Sequence, residues 1–467
     1  MLFNSFQYIF AFLPVVFLAF FYLIRKVDFF SAKCWLVAAS LFFYSWWNVV
    51  YLPLILGSIL FNYALGRRLQ LDLPDAKRKA LLIAGVSGNL LLLGYFKYAD
   101  FFIETGNYIF RTDFPELNPV LPIAISFFTF QQIAFLADSY GRKTSENDFI
   151  NYSLFVTFFP QLIAGPIVHH KEMLSQFARQ STGRIDYKNI STGLFVFAMG
   201  LFKKVAIADT FASWATPGFD HSPSLTFLEG WAVSLSYAFQ LYFDFSGYAD
   251  MALGAALLFN IRLPYNFDSP YKATDIADFW RRWHITLGRF FKDYVYIPLG
   301  GNQKGICRTL ANLAITFFLV GLWHGQEWMF VFWGLLHGSA MIVHRAWKKL
   351  NVDLPDFIAW FITFNFVNVA WVFFRAESWD DALKVLKAMF GFNGFGLSYY
   401  QFFPEMGPAV FGFMLALTFS TLLFFRNSNS YIETRPDAAK MILAFFVLLS
   451  ISYLNISKTS EFLYFRF

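Results

Sequence analysis

Seven histidines occur in the chain, and His324 has the setting that most suits chemistry. It closes the apolar run FFLVGLWHG, where an ionisable group is costly and usually has a partner or a function. Gly321 and Gly325 flank it and permit close approach by a helix or a ligand. A neutral imidazole there can take a proton from a hydroxyl near pH 7, a step that typically contributes about 10²–10⁴-fold in rate. The alternative is an interfacial histidine bonded to a backbone carbonyl. His284, in FWRRWHITLG, is the second candidate. Its neighbours Arg281 and Arg282 disfavour a charged imidazole. The same two cations can bind phosphates of a nucleotide-bearing molecule or contact lipid headgroups. His337 lies thirteen positions after His324, about 140° away around a straight helix, so the two share a face only if the helix breaks between them. Asp244 and Asp250 interrupt the apolar run QLYFDFSGYADMALG and need partners, for which the arginines at 281–289 are candidates. His169 and His170 follow a Gly-Pro turn, and their spacing identifies no further metal ligand. No metal site is therefore read from the sequence.

The elements that must hold these residues are set by composition. Of 467 residues, 57% are hydrophobic, 22% aromatic and only 15% charged, with 65 Phe and 14 Trp. Mean hydropathy is +0.47. Soluble domains usually carry about 25% charged residues, so the reading is all-α, a polytopic transmembrane helical bundle. Fourteen apolar runs predict about eleven crossings plus re-entrant or interfacial helices. They lie near 5–24, 34–50, 52–66, 80–97, 119–138, 149–165, 190–208, 228–245, 248–262, 309–324, 328–344, 357–374, 408–425 and 440–455. The first, without a basic leader or a small-residue cleavage site, reads as a spanning helix. Arg25, Lys26 and Lys33, then Arg67, Arg68, Lys77, Arg78 and Lys79, mark one face as cytoplasmic, while Asp100–Pro119 reads as an outer, acidic loop. The net charge of +6 is spread over such clusters, which argues against nucleic acid. Cys34 and Cys307 form no disulfide or zinc spacing. No repeat or linker divides residues 1–467, so a single domain is expected. Within it, about 270–308 stands out: from Asp275 to Tyr296 apolar residues recur at helical steps among charges, predicting one or two amphipathic helices at the interface or partly inserted. GxSxG, Walker and GxGxxG motifs are missing, so nucleotide hydrolysis and hydride transfer have no support.

FLPVVFLAFFYL, SLFFYSWWN, LLGYFKYADFF, LPIAISFFTFQ, FPQLIAGPIVHH, QLYFDFSGYADMALG, FWRRWHITLGRFFKDYVYIPLGGNQKG, GLWHGQEWMFVFWGLLHG and the closing EFLYFRF run in order through nearly the whole chain. Together they resemble the membrane-bound O-acyltransferase family, most closely its alginate O-acetyltransferase I type. The resemblance implies an enzyme whose membrane histidine is His324, in GLWHG, with His284, in RRWHITL, as the second functional position. It also implies a tunnel in which donor and acceptor meet, with Trp323, His337, Asp244, Arg281, Arg282, Arg289 and Lys292 as donor-binding or tunnel-lining candidates. Acetyl-CoA or another acetyl thioester is the implied donor substrate, with no tightly bound cofactor. Expected partners are membrane lipids, extracytoplasmic acetyltransferase proteins and a polysaccharide synthesis machinery, at a bacterial inner membrane. The expected product is an O-acetylated exopolysaccharide such as alginate or cellulose; D-alanylation of teichoic acid belongs to a related branch. This chain has WHITLG where the family often has WHISLS, and DSYGRK where relatives often show DxYRG. A transporter or flippase for a lipid-linked sugar is the rival reading. The lack of an internal repeat and the charged 275–296 segment argue against it.

Overall fold

Apolar runs interrupted by proline, glycine and short charged turns fold into helices throughout this computed structural model, which describes residues 1–144, 148–163, 165–396, 407–434, 437–455 and 463. In chain order the helices used below are α1 (Leu13–Lys26), α2 (Phe29–Ser45), α3 (Leu52–Gln70), α4 (Asp75–Leu93), α5 (Ala99–Phe110), α6 (Ile125–Tyr140), α7 (Phe149–Thr157), α8 (Phe159–Leu162), α9 (His170–Ala178), α10 (Tyr187–Phe202), α11 (Asp209–Thr216), α12 (Phe227–Leu258), α13 (Ile276–Arg282), α14 (Ile285–Phe291), α15 (Gly305–His324), α16 (Trp328–Trp347), α17 (Asp356–Arg375), α18 (Trp379–Met389), α19 (Gly407–Phe424), α20 (Asn429–Thr434) and α21 (Ala438–Asn455). Among the described residues six helical runs are long and apolar enough to cross a membrane: Gln7–Lys26, Val49–Gln70, Asp75–Phe110, Tyr187–His221, Gly305–His324 and Asp356–Arg375. Phe29–Ser45, Ala409–Phe424 and Ala439–Asn455 are shorter apolar helices. The multi-pass membrane class stands, carried by these six runs with shorter apolar helices beside them.

Several expected boundaries move for local reasons. The runs 228–245 and 248–262 are one helix of 32 residues, α12. Gly247 does not break it; the missing side chain lets the carbonyl of Gly200 approach, which an added Cβ would meet at 2.7 Å. The run 149–165 is not one span, because the chain leaves helical geometry at Phe158 (ψ 110°) before Pro160. The run 119–138 becomes helical only at Ile125, after Pro115, Pro119 and Pro122. Residues Ala99–Phe110, expected to begin the outer loop, continue α4 through a π-helical turn at Gly94–Tyr98. The Asp100 carboxylate then accepts hydrogen bonds from the Leu117 and Asn118 amides at 2.8 and 3.0 Å, folding the remaining loop back. Except for Leu463, the EFLYFRF motif lies outside the described residues.

The chain forms two compact units, each built from several chain segments. The first comprises Met1–Ala198, Tyr248–Pro264 and Arg435–Phe445. In it α1 packs on α2, α2 on α7, and α3, α4 and α6 pack on one another. Buried amides join them: Asn89 donates to Asn62 at 2.6 Å, and Gln132 donates to the Ser58 hydroxyl at 2.8 Å. Such interhelical bonds replace a hydrophobic drive that lipid does not supply. The second unit comprises Met199–Gly247, Tyr265–Thr434 and Phe446–Phe467, and holds α13–α18. Its tightest pairing is the antiparallel hairpin of α15 and α16. Gly321 and Gly334 face each other there; a Cβ on Gly334 would meet the Phe317 carbonyl oxygen at 2.3 Å and the Gly321 Cα at 2.9 Å.

Candidate active site

Local rules in the second unit bring His324, His337 and His284 into one aromatic cluster. α15 ends at His324 because Gly325 turns extended (φ −157°, ψ 164°). After Gln326 and Glu327 the chain re-enters a helix at Trp328, so the break that the thirteen-residue spacing requires is present. Gly325 sits against the Phe330 ring, 2.0 Å from where a Cβ would stand. The hairpin sets the His324 ring 5.0 Å from Trp333, and Trp333 lies 4.9 Å from His337. Trp333 and His337 are four apart on α16 and therefore share a face. Both glycines flanking His324 thus serve the neighbouring helix.

His284 arrives from the charged segment, which forms the two short helices α13 and α14 with a break between them. His284 is the N-cap of α14 and has a left-handed backbone, φ 45° and ψ 53°. Asn266 clamps this turn. Its backbone carbonyl accepts from the Ile285 amide at 3.0 Å and its side-chain oxygen from the Thr286 hydroxyl at 2.6 Å. The His284 ring then lies 4.8 Å from Phe245, 5.8 Å from Trp323 and 6.5 Å from His324. Burial pushes the His284 imidazole down to about 3, so it is neutral at pH 7, and the cause is desolvation rather than the adjacent arginines.

The cluster is enclosed. His324 and His284 are each 1% exposed and His337 is 0% exposed. Trp323, Trp333 and Phe374 cover His324, with ring centroids at 4.9, 5.0 and 5.3 Å. His337 accepts a hydrogen bond at Nδ1 from the Trp280 indole at 3.3 Å, which fixes its proton on Nε2. Trp280, Trp333, Trp371 and Phe374 were not singled out in the sequence. The four-residue step Trp333–His337 is the signal that marks Trp333; no local spacing marks the others, since Trp280 reaches His337 from another helix.

The basic residues sit differently. Arg281 is largely exposed and pairs with Asp278 at 3.2 Å; Arg282 pairs with Asp278 at 2.8 Å and with Asp268 at 3.8 Å. Arg289 is half-buried and Lys292 exposed. Asp244 does not reach these arginines. It is buried against Lys204 at 2.6 Å, which also holds Asp209 at 2.8 Å, and its other oxygen accepts from the Leu463 amide at 3.0 Å. A buried carboxylate takes the nearest cation its own helix packing offers, here from the run preceding α11.

The membrane-bound O-acyltransferase family profile matches residues 47–376. The chain is similar to the peptidoglycan O-acetyltransferase of Helicobacter pylori, at 47% identity over 100% of this chain and 98% of that protein. It is similar to the probable alginate O-acetylase AlgI of Pseudomonas putida, at 37% identity over the whole of both. The teichoic acid D-alanyltransferase of Streptococcus thermophilus is 29% identical over 54% of this chain and 68% of that protein.

Proposed function

The chain belongs to the membrane-bound O-acyltransferase family and is an acyltransferase rather than a transporter; from that premise we propose that it passes acetyl groups from a cytoplasmic thioester to a cell-envelope glycan. Peptidoglycan is the first candidate for the glycan, because the full-length identity to a peptidoglycan O-acetyltransferase, 47%, exceeds the identity to the alginate O-acetylases, 36–39%. The bacterial inner membrane is the setting that this chemistry requires. The donor is acetyl-CoA or another acetyl thioester, and the immediate acceptor is a hydroxyl of the glycan or of an extracytoplasmic carrier protein.

The observation that carries this reading is the meeting of His324 and His284 in one enclosed aromatic cluster, at 6.5 Å between rings. His324 removes the proton of the acceptor hydroxyl as its oxygen attacks the thioester carbonyl. The C–O bond forms, the C–S bond breaks, and the proton returns from His324 to the departing thiolate. His284, neutral and on the short-helix segment, lies toward the donor carbonyl. Arg281, Arg282, Arg289 and Lys292 attract the donor's phosphates from outside, with Asp278 and Asp268 competing for the first two. Direct transfer needs no serine or cysteine nucleophile. With His324 1% exposed, both reactants enter only when rings such as Trp323 or Phe374 swing aside.

Replacing His324 by Ala lowers acetyl transfer by about 10²–10⁴-fold while the protein still inserts and elutes as the wild type does. The check is the acetyl content of muropeptides, by mass analysis, in cells carrying each form. Unchanged acetylation by a folded variant removes the catalytic role. Loss of acetyl from an exopolysaccharide alone moves the acceptor to that polymer.

A further inference from the structure

Acyl transfer leaves one group of side chains in the first unit without a task. Asp138, in the last turn of α6, is buried. His169, the N-cap of α9, brings Nε2 to 2.7 Å from Asp138 Oδ2, and His170 brings Nδ1 to 3.6 Å from the same oxygen. One donor atom of each residue lies within 4.8 Å of the other two. The imidazoles are 4.2 Å apart between centroids. His170 is 1% exposed, and among the described residues neither of its ring nitrogens has a hydrogen-bond partner. An unsatisfied buried polar group costs about 1–3 kcal/mol, so this ring calls for an occupant. A cation borders the group: Lys143 Nζ is 3.7 Å from the other Asp138 oxygen. The Lys171 backbone amide donates to His169 Nδ1 at 3.4 Å, leaving Nε2 to face inward.

We propose that Asp138, His169 and His170 bind a divalent transition-metal ion of the zinc type, leaving a fourth position for water. Two imidazoles and one carboxylate form a donor set that suits zinc over magnesium or calcium. Bonds of about 2.0–2.2 Å in a tetrahedral arrangement set donor atoms roughly 3.3 Å apart. The 3.6 Å between His170 and Asp138 is close to that edge. The 2.7 Å between His169 and Asp138 is a hydrogen bond that the ion replaces. His169, with 23% of its side chain exposed, has room for the necessary opening, and Lys143, at 63%, can swing into solvent. The ion ties the end of α6 to the start of α9. Both lie at the end of α6 marked by basic residues, since Arg78 donates to the Tyr140 carbonyl. By the positive-inside rule that end is cytoplasmic, so the ion comes from the cytoplasm.

The test uses the full chain in detergent, purified without a histidine tag, stripped with a chelator and dialysed against micromolar zinc. Elemental analysis is expected to give one zinc per chain, and cobalt in its place gives the visible bands of four-coordinate Co(II). Asp138→Asn and His170→Ala weaken zinc binding by more than the roughly 100-fold that changes outside the ligand set cost. His169→Ala, at a partly exposed site, supplies the same reading if the buried variants fail to fold. Wild-type protein that retains no zinc overturns the proposal, as does undiminished binding by His169→Ala or Asp138→Asn.

Discussion

A substitution at His284 mixes chemistry with conformation, because its backbone is left-handed at φ 45°. Residues other than glycine seldom adopt this region; asparagine and histidine do so more readily, whereas a β-branched residue is strained there. His284→Asn should therefore melt near the wild type yet transfer acetyl poorly. His284→Val should lose about 1–3 kcal/mol in addition. Thermal melts in detergent beside a labelled-acetyl transfer assay separate the two effects, and full activity in His284→Asn would reduce the residue to a turn former. Ionisable residues in apolar runs were legible from sequence, which is why His324, His284 and His337 stood out. Their grouping was not. A straight helix sets His324 and His337 on different faces, and only the Gly325–Glu327 break and the Asn266 clamp, 18 residues before His284, bring the rings together. The third member of the His169–His170 group was equally hidden, since Asp138 stands 31 residues earlier.

The α15–α16 hairpin depends on backbone contact where side chains would collide. Gly334→Ala should destabilise the fold by about 1–3 kcal/mol through overpacking, since its Cβ would stand 2.3 Å from the Phe317 carbonyl oxygen. Because Trp333 is its neighbour, the shift should also displace the ring on His324 and lower transfer more than the melting point accounts for. Gly412→Ala in α19 is the control: an added Cβ meets nothing within 4 Å, and alanine favours a helix by roughly 0.5–1 kcal/mol. Equal losses from both variants would argue against the packing account. Helix existence followed from apolar runs, but helix ends did not. Asp100 reads as a loop residue by charge, yet it works inside a helix by accepting amides from Leu117 and Asn118. Phe158 reads as helical by hydropathy, yet Pro160 ends the helix before it.

At the scale of the whole chain, a buried charge cluster joins distant segments. Lys204 holds Asp209 and Asp244, and Asp244 also receives the amide of Leu463, 219 residues away in sequence. Lys204→Met leaves two carboxylates buried without their cation and should cost about 3–5 kcal/mol. Adding Asp209→Asn and Asp244→Asn should recover much of that. Detergent melting curves of the single and triple variants decide it, and a harmless Lys204→Met would show that water reaches the cluster. Composition alone fixed the membrane class, and ordered motifs fixed the family. Which cation meets which carboxylate depended on packing that no local pattern encodes.

A passage admitting a thioester from the cytoplasm and an alcohol from the opposite compartment is also a potential leak in an energised membrane. On the proposed mechanism, the rings of Trp323, Trp333 and Phe374 packed around His324 would act as a seal. Between turnovers they would keep protons from running down the gradient and would keep hydrolytic loss of the activated acetyl low. Activity and bioenergetic safety would then rest on the same few aromatic side chains.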